Sequence, residues 1–308
     1  MTDFAAAAAD YLATRRAMGY KLAYQGTMLT QFAAYLDAAD AEHLTIAHAL
    51  AWARQPAGAA PVWWAVRLGA VRSFARYLSA LDPDTEVPPA GLLPDPGHRI
   101  VPYIYSDQDI DQLRQAAGRL CPEHRADTYQ TIIGLMAVTG MRVGESVRLD
   151  CDDVDLGQGL LTIRNTKFGK SRQLPLHPTV IEALADYAHR RDERRPKPKS
   201  PSFFTSATGT RLLRDNVCQV FPRLVRETGL MPENQLRPPR LHDLRHSFAV
   251  RSLIGWYRDG ADVEQRLPLL STWLGHDAPK NTYWYLSAVP ELLELIADRI
   301  DRVGEAER

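Results

Sequence analysis

Four short runs of this 308-residue chain bring together side chains suited to one kind of chemistry. They are Thr139-Gly140-Met141-Arg142-Val143-Gly144-Glu145, the lysines Lys167 and Lys170, His242-Asp243-Leu244-Arg245-His246, and Leu274-Gly275-His276 followed by Asn281-Thr282-Tyr283-Trp284-Tyr285. A phosphodiester attacked by an oxygen nucleophile gains charge on its non-bridging oxygens. Two guanidinium forks, those of Arg142 and Arg245, supply the paired donors that such charge calls for, and losing one donor of this kind typically costs about 10²–10³ in rate. Glu145 follows Arg142 by three residues, which sets it on the same helix face to orient the guanidinium. A tyrosine serves as the nucleophile once its proton, with a free pKa of about 10, is taken by a neighbour or its phenolate is stabilised by the arginines. On these grounds both Tyr283 and Tyr285 qualify.

Other chemistries fit less well. Gly169-Lys170-Ser171 resembles the end of a phosphate-binding loop, but Arg164 stands where the first glycine is needed and a strand follows where a helix should begin. No nucleotide site is expected. The acids Asp150, Asp152, Asp153 and Asp155 satisfy no register of a calcium loop and read as a solvated turn. His242 and His246 have a zinc-like spacing of four, yet the residue between them that should be a glutamate is Asp243. A metal-dependent hydrolase built on His242, His246 and His276 stands as one alternative function. No metal and no cofactor are expected.

In order and spacing the four runs resemble the tyrosine recombinase (phage integrase) family, and the resemblance extends over the whole chain. It implies a site-specific recombinase that cleaves and rejoins double-stranded DNA through a 3′-phosphotyrosine, without ATP or metal, as a tetramer on two DNA sites. The family's nucleophile follows the Leu-Gly-His motif by nine residues, with a threonine three before it. Tyr285 meets both conditions and Tyr283 neither, so Tyr283 and Trp284 are expected to pack the short helix that carries the nucleophile. The resemblance further implies Lys167 as general acid to the leaving 5′-oxygen, His242 as general base or phosphate ligand, and His276 as hydrogen-bond donor to the phosphate. A helix over 290–303 would dock on a neighbouring protomer. Leu286-Ser287-Ala288-Val289 lacks the second histidine of many relatives, which leaves the chemistry intact. A DNA-binding protein of this fold that has lost cleavage is the other alternative.

These residues need elements to hold them. Met28, Leu29, Phe32, Tyr35 and Leu36, and again Val66, Ala70, Val71, Phe74, Tyr77 and Leu78, recur at helical spacing, and Thr45 is placed to cap a third helix. Six prolines and two glycines between Asp82 and Pro102 exclude a helix there. The domains read as 1–82, a helical core-binding, SAM-like module; 83–104, a linker; and 105–308, the catalytic domain. Ser106 and Asp109 form a capping box ahead of a helix. Period-two alternation over Leu160–Arg164 and Arg172–Leu176 predicts a β-hairpin, and helices are expected over 179–191, 211–227, 242–257, 262–273 and 290–303. The fold class is mainly α with a small antiparallel sheet.

The charge balance, 37 basic against 37 acidic residues, argues superficially against a polyanionic partner. It hides a stretch from Arg164 to Arg226 with 14 basic residues and five acids. Lys170 and Arg172 in that stretch are expected on DNA, as are Arg15, Arg16 and Lys21, beside Tyr20, in an N-terminal module that is otherwise slightly acidic. No apolar run approaches the roughly 18–20 residues of a membrane span, and the Ala-rich start lacks a basic leader. The three cysteines form no C-x-x-C pair and read as reduced packing residues of a cytoplasmic chain.

Overall fold

The computed structural model describes residues 2–55, 57–93, 101–164, 170–197, 199–230, 237–276, 280–287 and 291–295. The chain divides into two compact units, Met1–Ile100 and Val101–Arg308.

The first unit holds four helices, α1 (Phe4–Ala17), α2 (Ala23–Ala38), α3 (Ile46–Arg54) and α4 (Pro61–Leu78). Asp3 caps α1 by accepting from the Ala6 amide, Thr45 caps α3 by accepting from His48, and Pro61 opens α4 where no amide hydrogen is missed. Phe4, Leu29, Phe32, Leu36, Trp52, Val71 and Phe74 are buried at its centre, one apolar stripe from each helix. The Pro-rich segment, expected as a linker, is strapped to this unit as far as it is described. Arg72 donates to the carbonyls of Pro88 and Pro89, Glu86 accepts from the Ile46 amide, and Leu93 is buried in the same core. Prolines cannot donate, but their carbonyls remain good acceptors, and here an arginine uses them.

In the second unit Tyr105 is buried, its amide donating to Ser247 Oγ and its hydroxyl to the Arg240 carbonyl. Helices α5 (Asp107–Gly118), α6 (Glu123–Thr139) and the single-turn α7 (Val143–Ser146) lead into a three-stranded antiparallel sheet. Its strands β1 (Val154–Asp155), β2 (Leu160–Ile163) and β3 (Arg172–Pro175) lie in the order β1-β2-β3, with Leu161 facing Leu174 and Ile163 facing Arg172. β1 was not expected, because the acids around it read as a solvated turn. In fact Asp153 is buried and closes that turn by accepting from the Asp150 amide and pairing with Arg164.

Helices α8 (Pro178–Arg194), α9 (Arg214–Thr228), α10 (Asp243–Arg258), α11 (Val263–Leu274) and α12 (Lys280–Tyr283) follow; α12 runs into a 3₁₀ turn, Trp284–Ser287, and residues 291–295 are again helical. α9 begins three residues later than expected, since Arg211 is bridged to Thr205 in extended conformation. One apolar cluster joins α5, α6, α8, α9 and the sheet; a second joins α10, α11, Tyr285 and Leu292. Two packing expectations are corrected here. Cys121, Cys151 and Cys218 are free and exposed instead of packed, and Tyr283 is 51% exposed.

Candidate active site

Helix ends build this site. α6 ends at Gly140, whose left-handed backbone (φ +64°) turns the chain sharply; an added Cβ would lie 2.6 Å from the Phe248 ring and 2.9 Å from Leu274. α11 ends the same way at Gly275 (φ +65°), and the amide of His276 reaches back to the Ser271 carbonyl, which locks the turn. The last carbonyls of a helix have no partner inside it and carry the negative end of its dipole, so they attract cations.

Both arginines singled out by type dock on such carbonyls. Arg245, on the first turn of α10, is 1% exposed and donates to Gly140 O (2.8 Å) and Leu274 O (2.6 Å). Arg142, which precedes α7, donates to Gly275 O (3.0 Å) and to Glu145 (2.8 Å). Burial, and after it the neighbouring Arg142, lowers the Arg245 pKa to about 10, which still leaves it charged at neutral pH. Glu145 does pair with Arg142, although Arg142 caps a one-turn helix and does not lie along a longer one.

Glu145 has a second cation. Arg172, on β3, donates to both its carboxylate oxygens (2.8 and 3.3 Å) and to the Trp273 carbonyl (2.7 Å), and its side chain is only 10% exposed. Burial alone would raise the Glu145 carboxyl, but the hydrogen bonds and charges of Arg172 and Arg142 outweigh it and hold the group down at about 2. Arg172, expected on the DNA-facing surface, is therefore turned inward. Trp273 in turn donates from its indole nitrogen to the Thr139 carbonyl (2.8 Å), which ties the ends of α6 and α11 together.

His242 sits just before α10 and is exposed as a residue, yet enough protein surrounds its ring that desolvation and then Arg245 lower its pKa. Asp243 beside it is fully buried and accepts from the Arg240 amide (2.8 Å) and from Arg237, fixing the loop that enters α10. In the sequence Asp243 stands only where a zinc-site glutamate would be needed. Its signal was its place at the first position of a helix, where an acid suits the dipole.

Tyr285 is 2% exposed, and its hydroxyl lies 3.1 Å from Nδ1 of His246, whose ring also meets those of His242, Trp284 and Tyr285 edge-on. His276 Nδ1 is 2.7 Å from the Thr282 hydroxyl, and its ring stacks at 6.1 Å on that of Tyr285. The structure thus gathers Arg142, Glu145, His242, Arg245, His276 and Tyr285 within one constellation of helix ends. Lys167 lies outside the described residues. Lys170 is exposed beside β3; in the first unit Arg15 lies over the Tyr20 ring at 4.0 Å, while Arg16 and Lys21 are exposed. The helix expected over 290–303 is described only at 291–295, where Leu292 is buried against its own chain's second apolar cluster and Glu291 pairs with Arg258.

Comparison with known proteins bears on what this constellation is. The profile of the phage integrase family matches residues 105–291. The chain is 44% identical to y4rB of Sinorhizobium fredii, a protein carrying an integrase/recombinase name, over 99% of both chains, and 32% identical to the tyrosine recombinase XerD of Mycobacterium leprae over 74% of this chain and 70% of that one. Its fold is similar to that of the Tn1549 transposon integrase solved with transposon right-end DNA, with a TM-score of 0.67 and 17% identity over 98% and 100% of the two chains. A match spanning more than half the chain, and a relative this similar along its whole length, decide against the metal-dependent hydrolase: the protein belongs to the phage integrase family and is a site-specific tyrosine recombinase, an enzyme of DNA cleavage and religation.

Proposed function

We propose that Tyr285 is the nucleophile of this recombinase, attacking one phosphodiester of a double-stranded recombination site to give a 3′-phosphotyrosine and a free 5′-hydroxyl. Arg142 and Arg245 hold the non-bridging oxygens and stabilise the charge that develops there. Glu145 orients Arg142, His276 donates to the phosphate, and His242 stands at the mouth of the site as a phosphate ligand or base. Lys167 protonates the leaving 5′-oxygen, an assignment that rests on the family pattern alone. Exchange of one phosphodiester for another conserves bond energy, so the residues suffice without ATP or a metal. Two sites exchanged strand by strand require four cleavages with one tyrosine each, hence four protomers on DNA.

The observation that carries this reading is the convergence on Tyr285, the buried one of the two tyrosines, of His246 and His276, on the same helix ends that anchor both arginines. The first unit, with Arg15, Arg16 and Lys21 on or after α1, is read as the core-binding module that grips DNA beside the cleavage point. A cytoplasmic location is the reading that activity on DNA supports; among the described residues no helix is long and apolar enough to cross a membrane.

A half-site nicked so that the short 5′ fragment diffuses away tests the assignment, because religation is then blocked. Wild type should accumulate as a covalent adduct through phosphotyrosine. Tyr285→Phe removes one oxygen and preserves packing, so it should keep DNA affinity and form no adduct, while Tyr283→Phe should cross-link like wild type. A phosphate mapped to Tyr283 would overturn the assignment.

A further inference from the structure

We propose that His246 is a catalytic residue of the recombination reaction: its Nδ1 takes the Tyr285 hydroxyl proton as the phenolic oxygen attacks phosphorus. This rests on Tyr285 as the nucleophile and adds the group that receives its proton, a role the family resemblance offered to His242. Position on α10 sets where His246 points. Arg245 and His246 are consecutive, so they leave the helix about 100° apart. Arg245 reaches the carbonyls of Gly140 and Leu274, and His246 is aimed at the short helix that carries Tyr285. The 3.1 Å contact has hydrogen-bond geometry, and with the ring protonated at Nε2 its Nδ1 lone pair accepts from the hydroxyl.

The surroundings keep that lone pair available. His246 faces Arg245 on its own helix, His242 at the residue just before that helix, Arg237 and Arg240 on the loop leading to it, and Tyr285 and Trp284 on the short helix. Burial first, then His242 and the three arginines, pull its pKa down to about 3, so the ring is neutral at physiological pH. A base this weak does not ionise a resting phenol. It does not need to, because the phenolic proton becomes acidic as its oxygen turns into an aryl phosphate ester, and the entering phosphate anion offsets the arginine charges that disfavour imidazolium. In the balanced step the bond from phosphorus to the Tyr285 oxygen forms and the bond to the 5′-oxygen breaks. The phenolic proton passes to His246 Nδ1, and the 5′-oxygen is protonated by the general acid. Religation returns both protons.

Rates of adduct formation on the nicked half-site, measured from pH 6.5 to 9.5, test this. His246→Leu should lower the rate at pH 7 by about 10²–10⁴-fold with unchanged DNA affinity. Its rate should then climb about tenfold per pH unit as solvent generates phenolate, whereas wild type stays nearly level. Replacing Tyr285 with 3,5-difluorotyrosine, whose phenol is more acidic, should rescue His246→Leu at pH 7. His246→Asn keeps an acceptor near the Nδ1 position but no exchangeable base, and it should share the steep profile. A wild-type rate for His246→Asn, a pH-independent loss, or failure of the fluorinated tyrosine to rescue would each overturn the proposal, as would a steep, rescued profile for His242→Leu with a level one for His246→Leu. Should His246→Leu not fold, the Asn and difluorotyrosine arms still decide. An adduct in Tyr285→Phe would instead overturn the nucleophile assignment beneath it.

Discussion

At the scale of single residues, the site depends on arginines held by atoms that do not titrate. Arg245 reaches two backbone carbonyls and Arg142 reaches one carbonyl and a carboxylate held at about 2, so between pH 5 and 9 neither anchor changes charge. Arg142→Ala or Arg245→Ala should lower covalent-adduct formation by about a hundredfold or more while DNA binding persists, because each removes donors matched to transition-state charge. Paired gel-shift and adduct assays check this, and an affinity loss as large as the rate loss would refute it. The residue types and spacing announced both arginines, Glu145 and the choice between two tyrosines. They did not announce Arg172 as a structural partner of Glu145. A basic residue near a hairpin turn in a chain of 31 arginines looks the same in sequence whether it faces phosphate or a buried carboxylate.

At the scale of elements, the two glycine-terminated helices α6 and α11 set the geometry. Gly140→Ala would force a non-glycine residue into the left-handed region and press a methyl group against Phe248 and Leu274. The backbone cost of about 1–2 kcal/mol and the overpacking cost of about 1–3 kcal/mol together predict a loss of stability of about 2–5 kcal/mol, read as a lower urea midpoint with unchanged slope. A second consequence is loss of adduct formation, since Gly140 O holds Arg245. The helices themselves were legible, because long apolar stripes and the Thr45 and Ser106 caps are local signals. β1 was not. A two-residue strand has no periodicity of its own and exists only because β2 pairs with it.

At the scale of the whole molecule, the basic stretch from Arg164 to Arg226 is not a free phosphate surface. At least seven of its fourteen cations bind acids of the same unit, among them Arg190 and Arg194 on Asp127, Arg211 on Asp150 and Arg223 on Glu227. Counting charges along the sequence overstated what DNA would meet, since ion pairing across distant segments is invisible in one dimension. DNA affinity should still fall with salt, with a log–log slope near −0.9 for each phosphate neutralised. Lys170→Ala should reduce that slope by about one, and Arg190→Ala should leave it unchanged. Binding isotherms at 50–300 mM salt separate the two, and equal slopes for both variants would refute this division of the stretch.

The docking of both arginines on main-chain carbonyls also shapes how this enzyme tolerates redesign. A scan of every substitution should find Gly140 and Gly275 as intolerant as the arginines, though neither glycine has a side chain with which to touch a substrate. Conversely, among the described residues the exposed faces of α8 and α9 contribute no group to the anchors, so substitutions there should leave adduct formation intact. The path of the backbone itself holds the arginines in place.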